Sequence, residues 1–534
     1  MRGGGRLPAD MSSQQENYRV TRAAGVVGAA TLASRVLGLV RDVLVAYFIG
    51  AGFFSDAFFT AFRIPNLLRR LFAEGSLTVS FVPVFVEYLA AGDRRSAEDM
   101  ARSAFRLLTL ILLAVAALGI LCAPLLVRLI APGFLDVPGK FALTVTLTRL
   151  VFPYILFIGL VALSMGVLNG MGHFAAPALA PALLNVGIIG CLVVFATRFS
   201  SPVFALAGGV LVGGALQLAL QVPVLVKKGV SPWKRAPLYH PGLKKVALRM
   251  LPAMLGAAVY QINIVIGNLL ASLLSEGAIS YLYYADRLVQ FPLGLFGIAI
   301  ATAVLPSLSK QAAQGRKRQL ADTFAYAMKS VSFITLPAMA GLIVLREPIL
   351  TLIFQRGAFG PESVRLTASA LLYYSVGLWA FSAVRIVVSV FYAFQDTATP
   401  VKMAIISIVF NLAAALALMG PMGHGGLALA TSLASMVNLM LLTKALGNRL
   451  NLPLGRGWLS FCAKAALCSA VMGAVVWWLT RMLGADAETR FVVLLGDVTA
   501  MIVCGVVVYA AAFRLFFPGD LRAMTPFLGR NRGA

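Results

Sequence analysis

Apolar stretches of about twenty residues, the length that a bilayer core of roughly 30 Å demands of a helix, recur from Ala23 to Phe517 with only short polar breaks. Such a chain has lipid as its solvent, and lipid leaves the backbone two choices, helices or a closed barrel. The period-two alternation of a barrel strand is absent, so the stretches are read as helices. Composition agrees. Hydrophobic residues make up 60% of the chain, charged residues 12%, and mean hydropathy is +0.88, where a soluble domain carries about 25% charged residues.

Spans are predicted to begin at Ala23, Ala57, Ser103, Phe141, Ala175, Val203, Leu243, Ala278, Thr323, Val364, Pro400, Gly425, Trp458 and Phe491. The expected fold is therefore an all-α polytopic membrane protein of about fourteen transmembrane helices. The net charge of +25 does not point to nucleic acid, because no stretch is polar enough to form a soluble DNA-binding domain. Alternating the loops between sides puts 27 Lys and Arg residues on the side of the N-terminus and eight on the other. The positive-inside rule then places both termini in the cytoplasm, as an even helix count requires. Residues 1–22 are polar and contain arginine, with no apolar segment leading to a cleavage site, so they read as a cytoplasmic tail rather than a signal peptide.

The five cysteines, Cys122, Cys191, Cys462, Cys468 and Cys504, all fall in apolar stretches without a CxxC pair. That pattern predicts buried small hydrophobic residues, with no disulfide framework and no metal site. The histidines, His173, His240 and His424, are scattered. No cofactor is expected.

The halves of the chain repeat. FVPVFVEYLAAGDRR around Pro83 matches VLPSLSKQAAQGRKR around Pro306, 223 residues on. GVLNGMGHFAAP ending at Pro177 matches SVFYAFQDTATP ending at Pro400 at the same offset, and PLLVRLIAPGF from Pro124 matches PILTLIFQRGAF from Pro348 at 224. Three collinear matches predict that helices one to six (residues 23–229) recur as helices seven to twelve (230–449). Two further helices and a cytoplasmic tail fill 450–534. Both repeats start on the same side, so the halves are expected to be pseudo-symmetric lobes about an axis along the membrane normal, with a substrate site between them.

Ten basic residues fall inside the predicted spans against five acids, Asp42, Asp56, Glu74, Asp286 and Asp497. A charge at the bilayer midplane costs about 2.5 to 3.5 kcal/mol even on the lenient insertion scale, so such a set implies use. TLASRVLGLVRDVLVAYF places Arg35 near mid-helix, roughly 20 Å from either end, with Asp42 on the same face and Gly38 between them. Arg41 projects to a neighbouring face, and Gly38 permits a break or a close approach. FRIPNLLRRLFAEGSL brings Arg69, Arg70 and Glu74 near the midpoint of the second span, with Pro65 and Gly75 bracketing a discontinuity. YYADRLVQFPLG supplies Asp286 and Arg287. Local pairs such as Arg41 with Asp42 or Arg287 with Asp286 cannot neutralise the set. The excess suits an anionic phosphate or diphosphate, which the planar arginine fork binds bidentately. A negative-inside potential adds about 2.3 kcal/mol per charge per 100 mV to outward movement of an anion, so export is the favoured direction.

SRVLGLVRD (Ser34 to Asp42), DAFFTAFRIPNLLRRLFAEG (Asp56 to Gly75), YYADRLVQFP and FYAFQDTATP resemble the MurJ (MviN) family of lipid II flippases, and the likeness runs through nearly all of the chain after residue 20. The family belongs to a superfamily that includes multidrug exporters and polysaccharide-lipid flippases. The resemblance implies alternating access and transfer of lipid II, the undecaprenyl-diphosphate-linked peptidoglycan precursor, across the inner membrane for cell-wall synthesis. It also implies a lipid-tail groove at the two extra helices, contact with membrane lipids and association with cell-wall synthesis proteins. On the family pattern Arg35, Arg41, Arg69 or Arg70, and Arg287 hold the diphosphate, while Asp42, Asp56 and Glu74 help gate or position them; Ser34, Gly38 and Asp286 join these as gating or charge-partner candidates. Relatives often carry Glu at the place of Gln290 and some carry a sodium-binding Asp at the place of Gly267, which leaves coupling open between the membrane potential and a monovalent ion. Asp396 is the one ion-coupling candidate.

Other functions fit less well. A multidrug exporter of cationic compounds calls for a net acidic cavity. A flippase for another polyprenyl-diphosphate oligosaccharide shares the chemistry and is separated only by the family motifs. A glycosyltransferase or phosphatase needs catalytic carboxylates or histidines on sizeable external loops, which are short here. A structural scaffold has no use for intramembrane arginines.

Overall fold

The computed structural model describes residues 9–72, 77–234, 236–450, 456–483 and 491–519, and among them all regular secondary structure is helical. The chain divides into two compact units, the first comprising residues up to 49 and 57–262, the second 50–56 and 263 onward. Unit 1 contains α1 (Ala9–Ile49), most of α2 (Phe53–Phe72), α3 (Thr78–Ala90), α4 (Arg94–Leu121), α5 (Ala123–Ile130), α6 (Lys140–Val151), α7 (Tyr154–Gly170), α8 (Ala175–Phe195), α9 (Pro202–Lys227) and most of α10 (Pro241–Ser272). Unit 2 takes the remainder of α10, then α11 (Ala278–Pro292), α12 (Ile298–Ala313), α13 (Lys317–Val344), α14 (Arg346–Phe354), α15 (Pro361–Ala393), α16 (Ala398–Met422), α17 (His424–Leu450), α18 (Arg456–Leu483) and α19 (Phe491–Phe516).

Eleven helical segments among the described residues are long and apolar enough to cross a bilayer. Helices α1, α2 with α3, and α10 stand at the places of the three remaining predicted spans. Helix α1 begins at Ala9, well before the predicted first span, because residues 9–22 contain neither Gly nor Pro to interrupt the winding. It also runs unbroken through Gly38.

The repeat is visible in the backbone. Gly92 and Gly315, 223 residues apart, both adopt left-handed φ angles, +76° and +66°, at the turns before α4 and α13. Gly172 (+73°) and Gln395 (+57°), also 223 apart, do so before α8 and α16. The short helices α5 and α14 correspond as well, at the Pro124 and Pro348 motifs. A π-helical turn, Leu293–Gly297, separates α11 from α12. It corresponds to the predicted discontinuity of the first half, whose residues 73–76 lie outside the described set.

Each unit buries its own apolar core. In unit 1, Phe81 and Phe85 of α3, Met100 and Phe105 of α4, Leu163 and Val167 of α7, and Leu225 of α9 pack together with Val230 and Val246. In unit 2, Phe324 and Met328 of α13, Val387 and Phe391 of α15, Phe461 of α18 and Phe513 of α19 form one cluster, so the two C-terminal helices are part of that core. Ser332 crosslinks it: Trp379 Nε1 (2.8 Å) and Cys462 Sγ (3.1 Å) donate to its hydroxyl, while Tyr509 Oη donates to Phe333 O at 2.9 Å. Paired donors and acceptors at this depth replace water that lipid does not supply. Cys191, Cys462 and Cys468 are buried as expected and Cys504 is half-buried, whereas Cys122 is exposed, because it caps the junction of α4 and α5 instead of facing a core.

Helices α8 and α9 touch backbone to backbone. A Cβ on Gly187 would lie 2.4 Å from Gly213 Cα, the small-residue contact that lets membrane helices approach closely. Gly187→Val is therefore expected to wedge the pair apart at a cost of about 1–3 kcal/mol, seen as lower membrane abundance and thermal stability in detergent. Gly190→Val, where a Cβ meets nothing within 4 Å, should match the native chain.

Candidate functional site

Helix α1 carries the densest group of predicted site residues, and the structure draws four of them together. Arg41 donates Nε (3.0 Å) and Nη2 (2.7 Å) to Asp42 Oδ1, with 15% of its own side chain exposed and 5% of that of Asp42. Its Nη1 donates to Asn185 Oδ1 of α8 at 3.0 Å, and Asn185 Nδ2 donates to Ser34 O at 3.0 Å. Gly38 sits beneath this bridge, where a Cβ would lie 3.7 Å from Asn185 Nδ2. One asparagine thus orients the guanidinium and ties the α1 backbone to α8. Arg35, six residues before Arg41, is exposed.

Asn185 escaped sequence reading because an uncharged residue in an apolar span raises no signal, although an amide inside a membrane helix seeks a partner across a helix pair. A hydrogen bond to a charged group contributes about 1.5–3 kcal/mol. Asn185→Ala is expected to weaken function clearly at equal abundance. Asn185→Asp, which keeps an acceptor for Arg41 but loses the Ser34 bond, should retain more, as titrated by growth rescue at graded expression.

Arg69 and Arg70 occupy the last turn of α2, both half-buried, and Arg69 Nε donates to Asn66 Oδ1 at 2.8 Å. Glu74, the predicted partner of Arg70, lies outside the described residues. In unit 2, Arg287 is exposed on α11, stands 4.7 Å from the Tyr283 ring centroid and donates Nη2 to Tyr283 Oη at 3.1 Å. Tyr283 therefore orients Arg287 by a cation–π contact and a hydrogen bond. Asp286, half-buried, accepts from Gln290 Nε2 at 3.5 Å.

Asp56 takes a different place. It is 1% exposed and its carboxylate caps the N-terminus of α11, accepting from Gly277 N (2.8 Å), Ser280 N (2.9 Å) and Ser280 Oγ (2.6 Å). Ser280 Oγ also lies 2.8 Å from Ser55 Oγ, and Phe53 N donates to Glu276 Oε1 at 3.0 Å. The connection between α1 and α2 is thereby docked on the turn between α10 and α11. A carboxylate at a helix N-terminus gains from both the free amides and the helix dipole.

Asp396 lies apart, before α16. It accepts from Thr399 N (3.0 Å) and Thr399 Oγ1 (2.8 Å), and it pairs with Arg449, whose guanidinium stacks 4.8 Å from the Phe394 ring. The Thr399 amide, its hydroxyl and Arg449 hold the Asp396 carboxyl below the usual carboxylate range against the opposing effect of burial. Its visible work is to cap α16 and fix the turn at Gln395.

Repeated halves, helices throughout and arginines held inside the spans define a multi-pass membrane protein with a transporter fold. A solved structure described as an inward-facing multidrug resistance MATE family transporter of the MOP superfamily shares that fold, with a TM-score of 0.68 at 17% identity over 80% of this chain and 98% of that one. A solved structure of lipid II flippase MurJ in an inward closed conformation aligns with a TM-score of 0.78 at 27% identity, covering 93% of this chain and 99% of that one. The family model for lipid II flippase MurJ matches residues 45–495. A probable lipid II flippase MurJ of Vibrio cholerae serotype O1 is 41% identical over 472 residues, 87% of this chain and 90% of the relative. A lipid II flippase MurJ of Burkholderia cenocepacia is 36% identical over 463 residues, 86% and 89% respectively. The chain belongs to the lipid II flippase MurJ family.

Proposed function

We propose that this protein is a flippase, not an enzyme, which carries lipid II from the cytoplasmic to the periplasmic face of the inner membrane by alternating access, with both termini in the cytoplasm. The supporting observation is the family match across residues 45–495 in a chain whose predicted spans hold ten basic residues against five acids. Arg35, Arg41, Arg69, Arg70 and Arg287 engage the diphosphate. Asp42 and Asp286 balance the arginines between substrate encounters, with Ser34 and Gly38 shaping the α1 surface, and Glu74 serves beside Arg70. Asp56, through its cap on α11, acts as a gate residue that must release the α1–α2 connection in each cycle. The two C-terminal helices accommodate the lipid tail.

No bond is made or broken in this scheme; the protein supplies positive charge where lipid offers none, so moving the diphosphate avoids its full desolvation penalty. The membrane potential favours the outward step of an anion. The test is rescue of a host depleted of its own lipid II flippase, scored by lysis together with accessibility of the precursor at the outer face. Rescue with restored accessibility is expected. A well-expressed chain that fails to rescue would redirect the assignment to another polyprenyl-diphosphate oligosaccharide.

A further inference from the structure

The linker between α9 and α10 has an anchored inner side and an unusual outer one. Three arginines of α4 donate to its backbone carbonyls: Arg94 Nη2 to Lys228 O (3.0 Å), Arg102 Nη2 to Gly229 O (3.1 Å) and Arg106 Nη1 to Ala236 O. Arg102 is itself held by Glu98 and Asp99, each at 2.9 Å. Val230, Ala236 and Val246 are buried beneath, Val230 and Val246 within the unit 1 core. The opposite side presents Trp233, 72% exposed, and Tyr239, 65% exposed, among the exposed lysines Lys227, Lys228, Lys234 and Lys244.

Basic residues alone would be ordinary on this side of the chain. Two other turns on that side, around Gly92 and Gly315, carry arginine and lysine without an aromatic residue. Two aromatic rings turned outward from a clamped backbone at the end of a spanning helix make a different surface. Tyrosine and tryptophan settle at headgroup depth, where an apolar ring meets lipid and its polar edge meets water. Lysines beside them sit level with phosphates, and each adds to attraction for an anionic leaflet.

We infer that the α9–α10 linker is a binding surface for anionic phospholipid headgroups of the leaflet on the N-terminal side, with Trp233 and Tyr239 as interfacial anchors and Lys227, Lys228, Lys234 and Lys244 as phosphate contacts. The attachment to α4 fixes the linker carbonyls at Lys228, Gly229 and Ala236, so binding needs little further ordering of the linker backbone.

The test uses the full chain in bilayers of mixed phosphatidylcholine and phosphatidylglycerol, with spin-labelled versions of each lipid reporting their association with the protein. A preference for phosphatidylglycerol of at least about threefold is expected. It should fall towards parity when Lys227, Lys228, Lys234 and Lys244 are changed together to Gln, at unchanged thermal stability. Phosphatidylglycerol brominated near the headgroup should quench emission of the native chain more than that of Trp233→Phe. An unchanged preference in the lysine variant would overturn the inference. So would a lysine variant that keeps its lipid preference but binds the diphosphate precursor less, since the linker would then serve substrate capture. Neither outcome touches the flippase assignment, which rescue tests separately.

Discussion

Arg35→Ala is expected to abolish rescue of a flippase-depleted host at native abundance and native thermal stability, whereas Arg41→Ala is expected to lose both function and stability. The difference lies in their surroundings. Arg35 is exposed, so its removal takes away positive charge and disturbs little packing. Arg41 is the guanidinium facing Asp42, whose side chain is 5% exposed, and removing one member of a buried pair costs about 3–5 kcal/mol. The companion change separates the two roles. Arg41→Ala with Asp42→Asn should recover abundance and detergent stability without recovering rescue. If that double variant rescues growth, Arg41 serves only to balance Asp42, and the diphosphate contact must be sought at Arg35, Arg69, Arg70 and Arg287.

The second large effect is expected at Asp56. Asp56→Ala removes the carboxylate that accepts from Gly277 N, Ser280 N and Ser280 Oγ at the start of α11; the hydroxyl keeps Ser55 Oγ as a partner, but each buried amide left unsatisfied costs about 1–3 kcal/mol. The α1–α2 connection should then detach from the α10–α11 turn. Loss of rescue is expected, together with exposure of Ser55, which is 0% exposed in the structure. A cysteine placed at Ser55, with Cys122→Ser removing the exposed native thiol, reports this directly: an impermeant maleimide should spare it in the native background and label it in Asp56→Ala. Asp56→Asn keeps an acceptor for Ser280 but turns an amide donor towards Gly277 N, and should fall between. Continued protection together with full rescue in Asp56→Ala would remove the residue from any gating role.

Much of the architecture was legible without coordinates. Hydropathy located the spans because lipid obliges every crossing segment to be apolar and internally hydrogen-bonded, a condition that each helix meets alone. The repeat was legible for a similar reason. Turn residues such as Gly92 and Gly315 answer to local φ angles, and a local requirement repeated 223 residues later leaves the same letters in the same places.

The partners of the charges could not be found this way. Arg41 and Asp42 are neighbours, and their pairing was foreseeable from spacing alone. Asn185 lies 144 residues from Arg41, and Gly277 lies 221 residues from Asp56. Asp56 sits in a row of aromatic and apolar residues that says nothing of the α11 amides, and Asp396 gave no sign that Thr399 and Arg449 would occupy its carboxylate. The sequence by itself determined that this chain crosses a membrane many times, in two repeated halves, with more positive than negative charge inside its spans. Only the tertiary structure decided which of those charges stand exposed, as Arg35 does, and which are bonded to a distant helix, as Arg41 is to Asn185 and Asp56 to the start of α11. Burial in lipid depends on each residue's own chemistry, whereas a hydrogen bond depends on where a distant segment of backbone comes to rest.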